Sequence, residues 1–380
     1  MRLKINQLVK FMRVALVHDY LNQYGGAEKV LEAFLEIFPN APIYTILYDK
    51  KIVDKFFSNK KIKTSFLQKI PFIKKHHRLF PPLMPLAVEK LDLSDYDLVL
   101  SDSAAFGKGV ITRPNTLHIC YCHTPIRYAW DDSHKYIREF SMKKFAKFFV
   151  PIFMNYLRLW DREAAYRVDK FICNSQFVAQ RIKKYYKQEA EVIYPPVNIK
   201  NFGVVEFVEN EKPYFLMVGR LLPYKRFDMA IEAFNKLELP LKIIGSGPEM
   251  KKLKKMANWN IEFLGEKNNE ELKKYYQECQ ALIFPQEEDF GIVALEAMAC
   301  GRPVIAYKGG GALESVIGGK TGMFFEEQTV ESLVEAVKSF DASKFNSKII
   351  YQHALKFDKE NFKQKIKDFI DKYWKEFNKL

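Results

Sequence analysis

The stretch from Ala281 to Tyr307 constrains the fold more than any other part of the chain. Ala281-Leu282-Ile283-Phe284 is an apolar run too short for a helix, and it reads as a buried parallel strand. A short acidic loop, Pro285 to Asp289, leads into a helix that stops at Gly301, where a left-handed cap is expected. Arg302 to Tyr307 then reads as the next strand. A strand–loop–helix–strand unit joins parallel strands and leaves its loop at the carboxyl end of a strand, where open α/β sheets bind ligands. The helix start at Phe290, Gly291 and Ile292 offers N–H groups to an anion. Two carboxylates, Glu288 and Glu296, stand eight residues apart, one before the helix and one within it. They read either as paired catalytic carboxylates or as two acceptors for ligand hydroxyls.

The same pattern recurs along the chain. Short strands are expected at Arg13–His18, Pro42–Leu47, Asp97–Ser101, Leu117–Cys122, Lys170–Asn174 and Glu191–Tyr194, with helical spacing between them, as in Ala27–Phe38 and Ser175–Tyr186. Strands alternating with helices argue for a right-handed parallel sheet. The pair Pro195-Pro196 and the aperiodic residues 199–212 mark a boundary, after which the pattern restarts at Tyr214–Val218. A chain of 380 residues divides naturally into two domains, 1–198 and 199–359. The fold class is therefore α/β, with two successive doubly wound parallel-sheet domains and a cleft between them.

Charge sharpens the search for partners. The net charge is +14, and residues 50–90 carry eleven Lys or Arg against two acids. That stretch is interleaved with Phe56, Phe57, Phe66, Phe72 and Phe80, and a second basic-aromatic stretch runs through residues 134–160. Such surfaces suit anionic lipid headgroups, with nucleic acid or a plain solvated face as the other readings. No run of 18 apolar residues exists, so no bilayer span is expected. The start lacks the apolar region of a secretory signal, and residues 1–11 read as a short extension before the first strand. Cys120, Cys122, Cys173, Cys279 and Cys300 are odd in number and scattered, which suits reduced thiols of a cytosolic protein.

Candidate chemistry gathers at strand ends. Arg220 and Lys225 follow the strand 214–218, and two fixed cations there suit a diphosphate, with Arg as a forked donor and Lys as a point charge. Gly25-Gly26 sits at a strand-to-helix turn, where glycines let a ligand approach the backbone, although a tight turn explains them equally. His123, before Thr124-Pro125, ends another strand and reads as either structural or catalytic. No Ser/His/Asp order, no H-E-x-x-H, no phosphate-binding G-x-x-x-x-G-K-[ST] and no clustered metal ligands are present.

Gly219-Arg220…Lys225, Gly245-Ser246-Gly247-Pro248 and, above all, Glu288-Asp289-Phe290-Gly291-Ile292-Val293-Ala294-Leu295-Glu296 resemble the retaining glycosyltransferases of family 4, which have the GT-B fold. The resemblance runs from Val14 to the C-terminal helix. His18-Asp19-Tyr20-Leu21…Gly25-Gly26-Ala27-Glu28-Lys29 and Tyr121-Cys122-His123-Thr124-Pro125-Ile126-Arg127-Tyr128-Ala129-Trp130-Asp131 look like the mannosyltransferases of O-antigen and surface-polysaccharide assembly.

The resemblance implies two Rossmann-like domains, with 1–198 binding the acceptor, 199–359 binding the donor and a final helix, about 360–380, crossing back to the first. It implies that Arg220 and Lys225 hold the donor diphosphate, and that Glu288 binds donor-sugar hydroxyls beside Phe290, Gly291, Ile292 and Val293. Glu296 would bind the ribose, and Gly247 and Lys267 would complete the donor site, with Gly265–Asn268 flanking the base. Gly25 and Gly26 would close over the phosphates, and His123 would contact the sugar near the reacting carbon.

The implied activity is retaining hexosyl transfer from a nucleotide sugar, GDP-mannose favoured, to a hydroxyl of a lipid-linked saccharide, with no cofactor and no metal. The alternatives are a UDP-glucose or UDP-N-acetylglucosamine donor, a nucleotide-sugar epimerase and a non-enzymatic sensor. The expected partners are nucleotide sugar, lipid-linked acceptor and an anionic membrane surface met through residues 50–90 and 134–160, not nucleic acid. The expected location is the cytoplasmic face of the cell membrane.

Overall fold

The structure is a computed structural model that describes residues 12–71, 73, 80–131, 144–205 and 213–379. The chain forms two compact units. One comprises Met1–Pro195 with Phe362–Leu380, and the other comprises Pro196–Asn361.

The first unit is built on a seven-stranded sheet, β1 (Val14–Leu21), β2 (Ile43–Tyr48), β3 (Ile62–Thr64), β4 (Leu98–Ser103), β5 (Leu117–Cys122), β6 (Lys170–Cys173) and β7 (Ala190–Val192). The strands run in the order β3-β2-β1-β4-β5-β6-β7, and every pairing is parallel. Side chains alternate across a strand, so each central strand fills two cores. Val14, Leu16, Leu98, Leu100, Leu117 and Ile119 pack on one face with Val30, Leu31 and Phe34 of the helix Gly26–Ile37. Ala15, Val17, Ile46 and Val99 pack on the other face with Met84, Ala87 and Val88 of the helix Met84–Glu89 and with Met154 and Leu157 of the helix Lys144–Tyr166. The final helix, Lys359–Phe377, returns to this unit. Its Phe362, Ile366, Phe369 and Ile370, spaced as one helical stripe, join the first of these cores.

The second unit repeats the plan with six strands, β8 (Phe215–Val218), β9 (Leu241–Ile244), β10 (Ile261–Gly265), β11 (Leu282–Phe284), β12 (Val304–Tyr307) and β13 (Gly322–Phe325). Their order is β10-β9-β8-β11-β12-β13, again all parallel. Phe215, Met217, Leu241, Ile243, Ile283 and Ile305 meet the helix Phe227–Leu237 and the helix Val330–Ser339 on one face. Leu216, Leu282, Phe284, Val304 and Ala306 are buried on the other. The helix after β11 is Ile292–Ala299, and Gly301 beyond it takes φ +76°, the left-handed conformation expected of it.

Three local features depart from the sequence reading. The edge strand β3 and the helix Lys50–Phe56 form inside the basic stretch, where lysines obscure both periods. Arg302 lies before the strand rather than in it, and its buried guanidinium donates to the Gln277 carbonyl. Phe72, Lys74, Lys75 and Arg78 of the basic stretch, His134–Lys143 of the second stretch and the extension 1–11 lie outside the described residues. No described helix is long and apolar enough to cross a membrane. All five cysteines are free and buried.

Candidate functional site

In each sheet the strand order reverses beside the first strand of the unit. The crevice between β8 and β11 is such a switch point, as is that between β1 and β4, and ligands of open α/β sheets bind at these points.

Three residues singled out by sequence stand at the β8/β11 edge, and the structure pairs two of them. Arg220 follows β8 and is exposed. Lys225 ends a 3₁₀ turn, Pro223–Lys225. The ammonium of Lys225 pairs with the carboxylate of Glu288, which stands in the loop after β11, and both side chains are largely buried, 14% and 13% exposed. The ion pair therefore bridges the two strands at the reversal. The loop of Glu288 is held from below by glycines: the Gly311 N–H donates to the Glu288 carbonyl at 2.8 Å, and a side chain at Gly311 would collide with the Phe290 backbone. Phe290 is buried against Phe357. The helix Ile292–Ala299 points its amino end at this edge, with the N–H groups of Ile292 and Val293 in its first turn.

Gly247 lies in a loop laid directly on the loop after β8. Leu221 donates its N–H to the Ser246 carbonyl at 2.8 Å, and a side chain at Gly247 would meet the Leu221 backbone. Lys267 pairs with Glu271 at 3.1 Å at the end of β10, which raises its pKa through that hydrogen bond. Ser246 pairs with Glu266 beside it.

Glu296 does not converge with Glu288. It faces the protein interior, where it accepts a 3.0 Å hydrogen bond from the Tyr276 hydroxyl. Tyr276, on the helix Asn269–Glu278, supplies a protein partner for a buried carboxylate that the sequence reading left to a ligand hydroxyl. Burial, reinforced by the neighbouring Glu296 carboxylate, raises the Tyr276 phenol well above its ordinary range.

At the β1/β4 point the candidates Gly25, Gly26 and His123 are joined by residues that sequence reasoning passed over. His18 and Asp102 are direct partners across β1 and β4. Asp102 accepts from His18 Nδ1 at 2.8 Å through one oxygen, and its other oxygen lies 2.5 Å from His123 Nε2. The second ring nitrogen of His18 lies 3.6 Å from Glu28, and Glu28 accepts the Gly25 N–H at 2.7 Å. Burial works against charge on His18, but its bonds to Asp102 and Glu28 outweigh that and raise it to about 10. Burial opposes the charge on Asp102 too, and the two imidazoles still hold its carboxyl below the usual range. Polar residues inside an otherwise apolar strand, His18 in β1 and Ser101-Asp102-Ser103 in β4, were the available signal for this cluster. Asp19 is spoken for elsewhere, accepting four backbone N–H groups from Ala104 to Gly107. Among the described residues no three His, Cys, Asp or Glu side chains come together as a metal-binding group.

Two parallel, doubly wound units with strand order 3-2-1-4-5-6 at their heart define the GT-B class of glycosyltransferases. The sequence model of Glycosyltransferase Family 4 matches residues 24–201, and that of Glycosyl transferases group 1 matches residues 198–356. The chain belongs to the GT-B glycosyltransferases of the family 4 type.

An uncharacterized glycosyltransferase of Methanocaldococcus jannaschii is 31% identical over 208 residues, 53% of this chain and 58% of that one. A GDP-mannose-dependent alpha-(1-6)-phosphatidylinositol monomannoside mannosyltransferase of Mycolicibacterium smegmatis is 33% identical over 145 residues, 33% of this chain and 38% of that one. The match thus spans less than two thirds of each of these relatives' length. Among solved structures, Anabaena HepE in complex with UDP-glucose superposes with a TM-score of 0.70 over 94% of this chain and 99% of that one, at 18% identity.

Proposed function

We propose that the chain transfers a hexose, mannose in the first place, from GDP-mannose to a hydroxyl of a lipid-linked saccharide, with retention at the anomeric carbon. The observation that carries this reading is the Lys225–Glu288 ion pair across the β8/β11 switch point, beside Arg220. In the free chain the two charges satisfy each other. A nucleotide sugar replaces both partners at once: its diphosphate takes Lys225 and Arg220, and its sugar hydroxyls take Glu288. Mannose and GDP are favoured by the mycobacterial relative, whose acceptor is itself a glycolipid.

In this reading no acidic side chain acts as a nucleophile: Glu288 is taken by the sugar hydroxyls, and Glu296 faces Tyr276. The bond from the anomeric carbon to phosphate breaks, with its electron pair going to the diphosphate. The acceptor hydroxyl attacks from the same face, and its proton passes to a leaving phosphate oxygen. Arg220 and Lys225 stabilise the charge as it develops. No metal or cofactor is assigned a role. A glycolipid acceptor implies an anionic membrane surface, for which the exposed Lys50, Lys51, Lys55, Lys61, Lys63 and Lys69 supply counter-charge.

Arg220→Ala is the cleanest test, because Arg220 is exposed. It should cost about 3 kcal/mol of transition-state stabilisation in GDP release coupled to acceptor glycosylation, as for loss of one oxyanion donor. Turnover near wild type would refute the assignment. NMR of the product anomer reads retention. Conversion of donor without acceptor would instead indicate an epimerase, and preference for UDP-glucose would change the base. Flotation with anionic liposomes should weaken as salt rises.

A further inference from the structure

Beyond these donor contacts, the first unit holds a buried chain of polar and charged groups, of which Glu28, His18 and Asp102 have no assigned part in the reaction. It runs from the Gly25 N–H to Glu28, His18, Asp102 and His123, with successive separations of 2.7, 3.6, 2.8 and 2.5 Å. Glu28, His18 and Asp102 are all at most 3% exposed, and the His123 side chain at 12% reaches the edge. Three elements contribute. His18 comes from β1, Asp102 from β4 and Glu28 from the first turn of the helix Gly26–Ile37, while His123 follows β5 directly.

Such a cluster is costly unless it is fully paired, because an ionised group in the interior must be compensated. The pairing here takes a particular form. An imidazolium at His18 donates to Asp102 through Nδ1 and stands at ion-pair distance from Glu28 through Nε2, and so neutralises one charge of the two while lying between both. Asp102 is then fixed on one side by His18 and commits its other oxygen to His123. Glu28, fixed by His18, commits its other oxygen to the Gly25 N–H. Hydrophobic residues of the same volume would stabilise the sheet as well, so the retained charges point to a demand for geometry rather than stability.

We infer that Asp102, His18 and Glu28 are positioning residues: a buried relay centred on an imidazolium that sets the ring orientation of His123 and the conformation of the Gly25–Gly26 turn together. Nε2 of His123 is held by Asp102, and the Tyr121 ring packs edge-on 5.2 Å from the imidazole, so the ring is restrained from two sides. The glycine turn cannot change its backbone without releasing Glu28, and Glu28 cannot leave without uncovering His18. The groups facing His18 are Asp102 from β4 and Glu28 from the helix, and both act to keep it protonated. The role in turnover rests on the proposed function together with the expectation that His123 and the glycine turn serve the reaction; the relay itself rests on the geometry alone.

The test separates the two. Imidazole ¹⁵N spectra of the full chain, which has seven histidines, are followed from pH 5 to pH 10 in the wild type, Asp102→Asn and Glu28→Gln. The expected result is one buried imidazole that stays doubly protonated well above pH 7 in the wild type and loses that state at lower pH in each variant. The His123 resonances should move in Asp102→Asn, and amide exchange at Gly25 should accelerate in Glu28→Gln. With GDP-mannose and acceptor, Asp102→Asn should lower kcat by on the order of 10²-fold with little change in donor KM. A wild-type His18 that titrates in the ordinary imidazole range overturns the relay, as does an unmoved His123 spectrum in a folded Asp102→Asn variant. Should Asp102→Asn not fold, the wild-type titration and Glu28→Gln decide the matter. Spectra that behave as expected in a chain that turns over none of the donors would refute the proposed function and leave the relay standing.

Discussion

At the scale of single residues, two buried histidines give the first unit opposite responses to pH. His118 on β5 is fully buried, with Nε2 at 2.9 Å from the Ser101 hydroxyl, and burial pushes its pKa from 6.5 down to about 4. The unfolded chain takes up a proton near pH 6.5 that the folded chain refuses until about pH 4. The stability that His118 contributes is therefore whole above pH 6.5 and is lost as pH falls towards 4, a span of about 3 kcal/mol at most. His18 acts in the other direction. Its folded pKa is raised to about 10, so its contribution is whole below pH 6.5 and is lost as pH rises towards 10. Urea midpoints should therefore be highest near neutrality. His118→Gln should flatten the limb between pH 6.5 and 5 without altering the alkaline limb, and an acid limb of unchanged slope would contradict this assignment. His18 stood out in the sequence only as a polar residue in an apolar strand, and the opposite shifts of the two histidines were not legible there, because burial and cross-strand partners are properties of the assembled sheet.

At the scale of elements, the β8/β11 edge of the second unit depends on loops that lie backbone to backbone. Gly245 takes φ +137°, and a side chain there would fall 1.9 Å from the Gly219 carbonyl oxygen, a rigid neighbour that cannot move aside. Gly245→Ala should destabilise the second unit by about 2–4 kcal/mol, combining backbone strain with overpacking. It should also weaken nucleotide-sugar binding, since Arg220 follows Gly219 directly. Urea unfolding followed with a thermal-shift series in GDP-mannose measures both, and wild-type values for each would show that the loops tolerate separation. The strand-end glycines and the cations were readable from sequence because turn chemistry is local. That Lys225 and Glu288, 63 positions apart, form one ion pair was not, because β11 sits beside β8 only once the order of the sheet is known.

At the scale of the whole molecule, the chain ends by returning to where it began. Phe362, Ile366, Phe369 and Ile370 fill the core of the first unit, with Phe362 stacked 5.7 Å from Phe34 and edge-on to Tyr121 at 5.8 Å. Truncation after Asn361 should remove on the order of 6 kcal/mol of apolar burial from that unit and leave the core of the second intact. Hydrogen exchange read by mass spectrometry should show β1, β4 and β5 losing protection while β8, β9 and β11 keep theirs. Equal loss in both units would show that the helix supports the chain as a whole.

The sequence by itself determined the α/β class, the two-unit plan and the strand-end positions of Arg220, Lys225, Glu288 and His123. Those follow from local rules: apolar periods, turn residues and the alternation of strands with helices. The tertiary structure decided which of those residues meet. It joined Lys225 to Glu288, turned Glu296 towards Tyr276 and placed Asp102 between His18 and His123. Pairing of that kind is set by strand order and by which face of a strand or helix each side chain occupies. A charge buried far from water takes whatever partner the packed sheet brings to it.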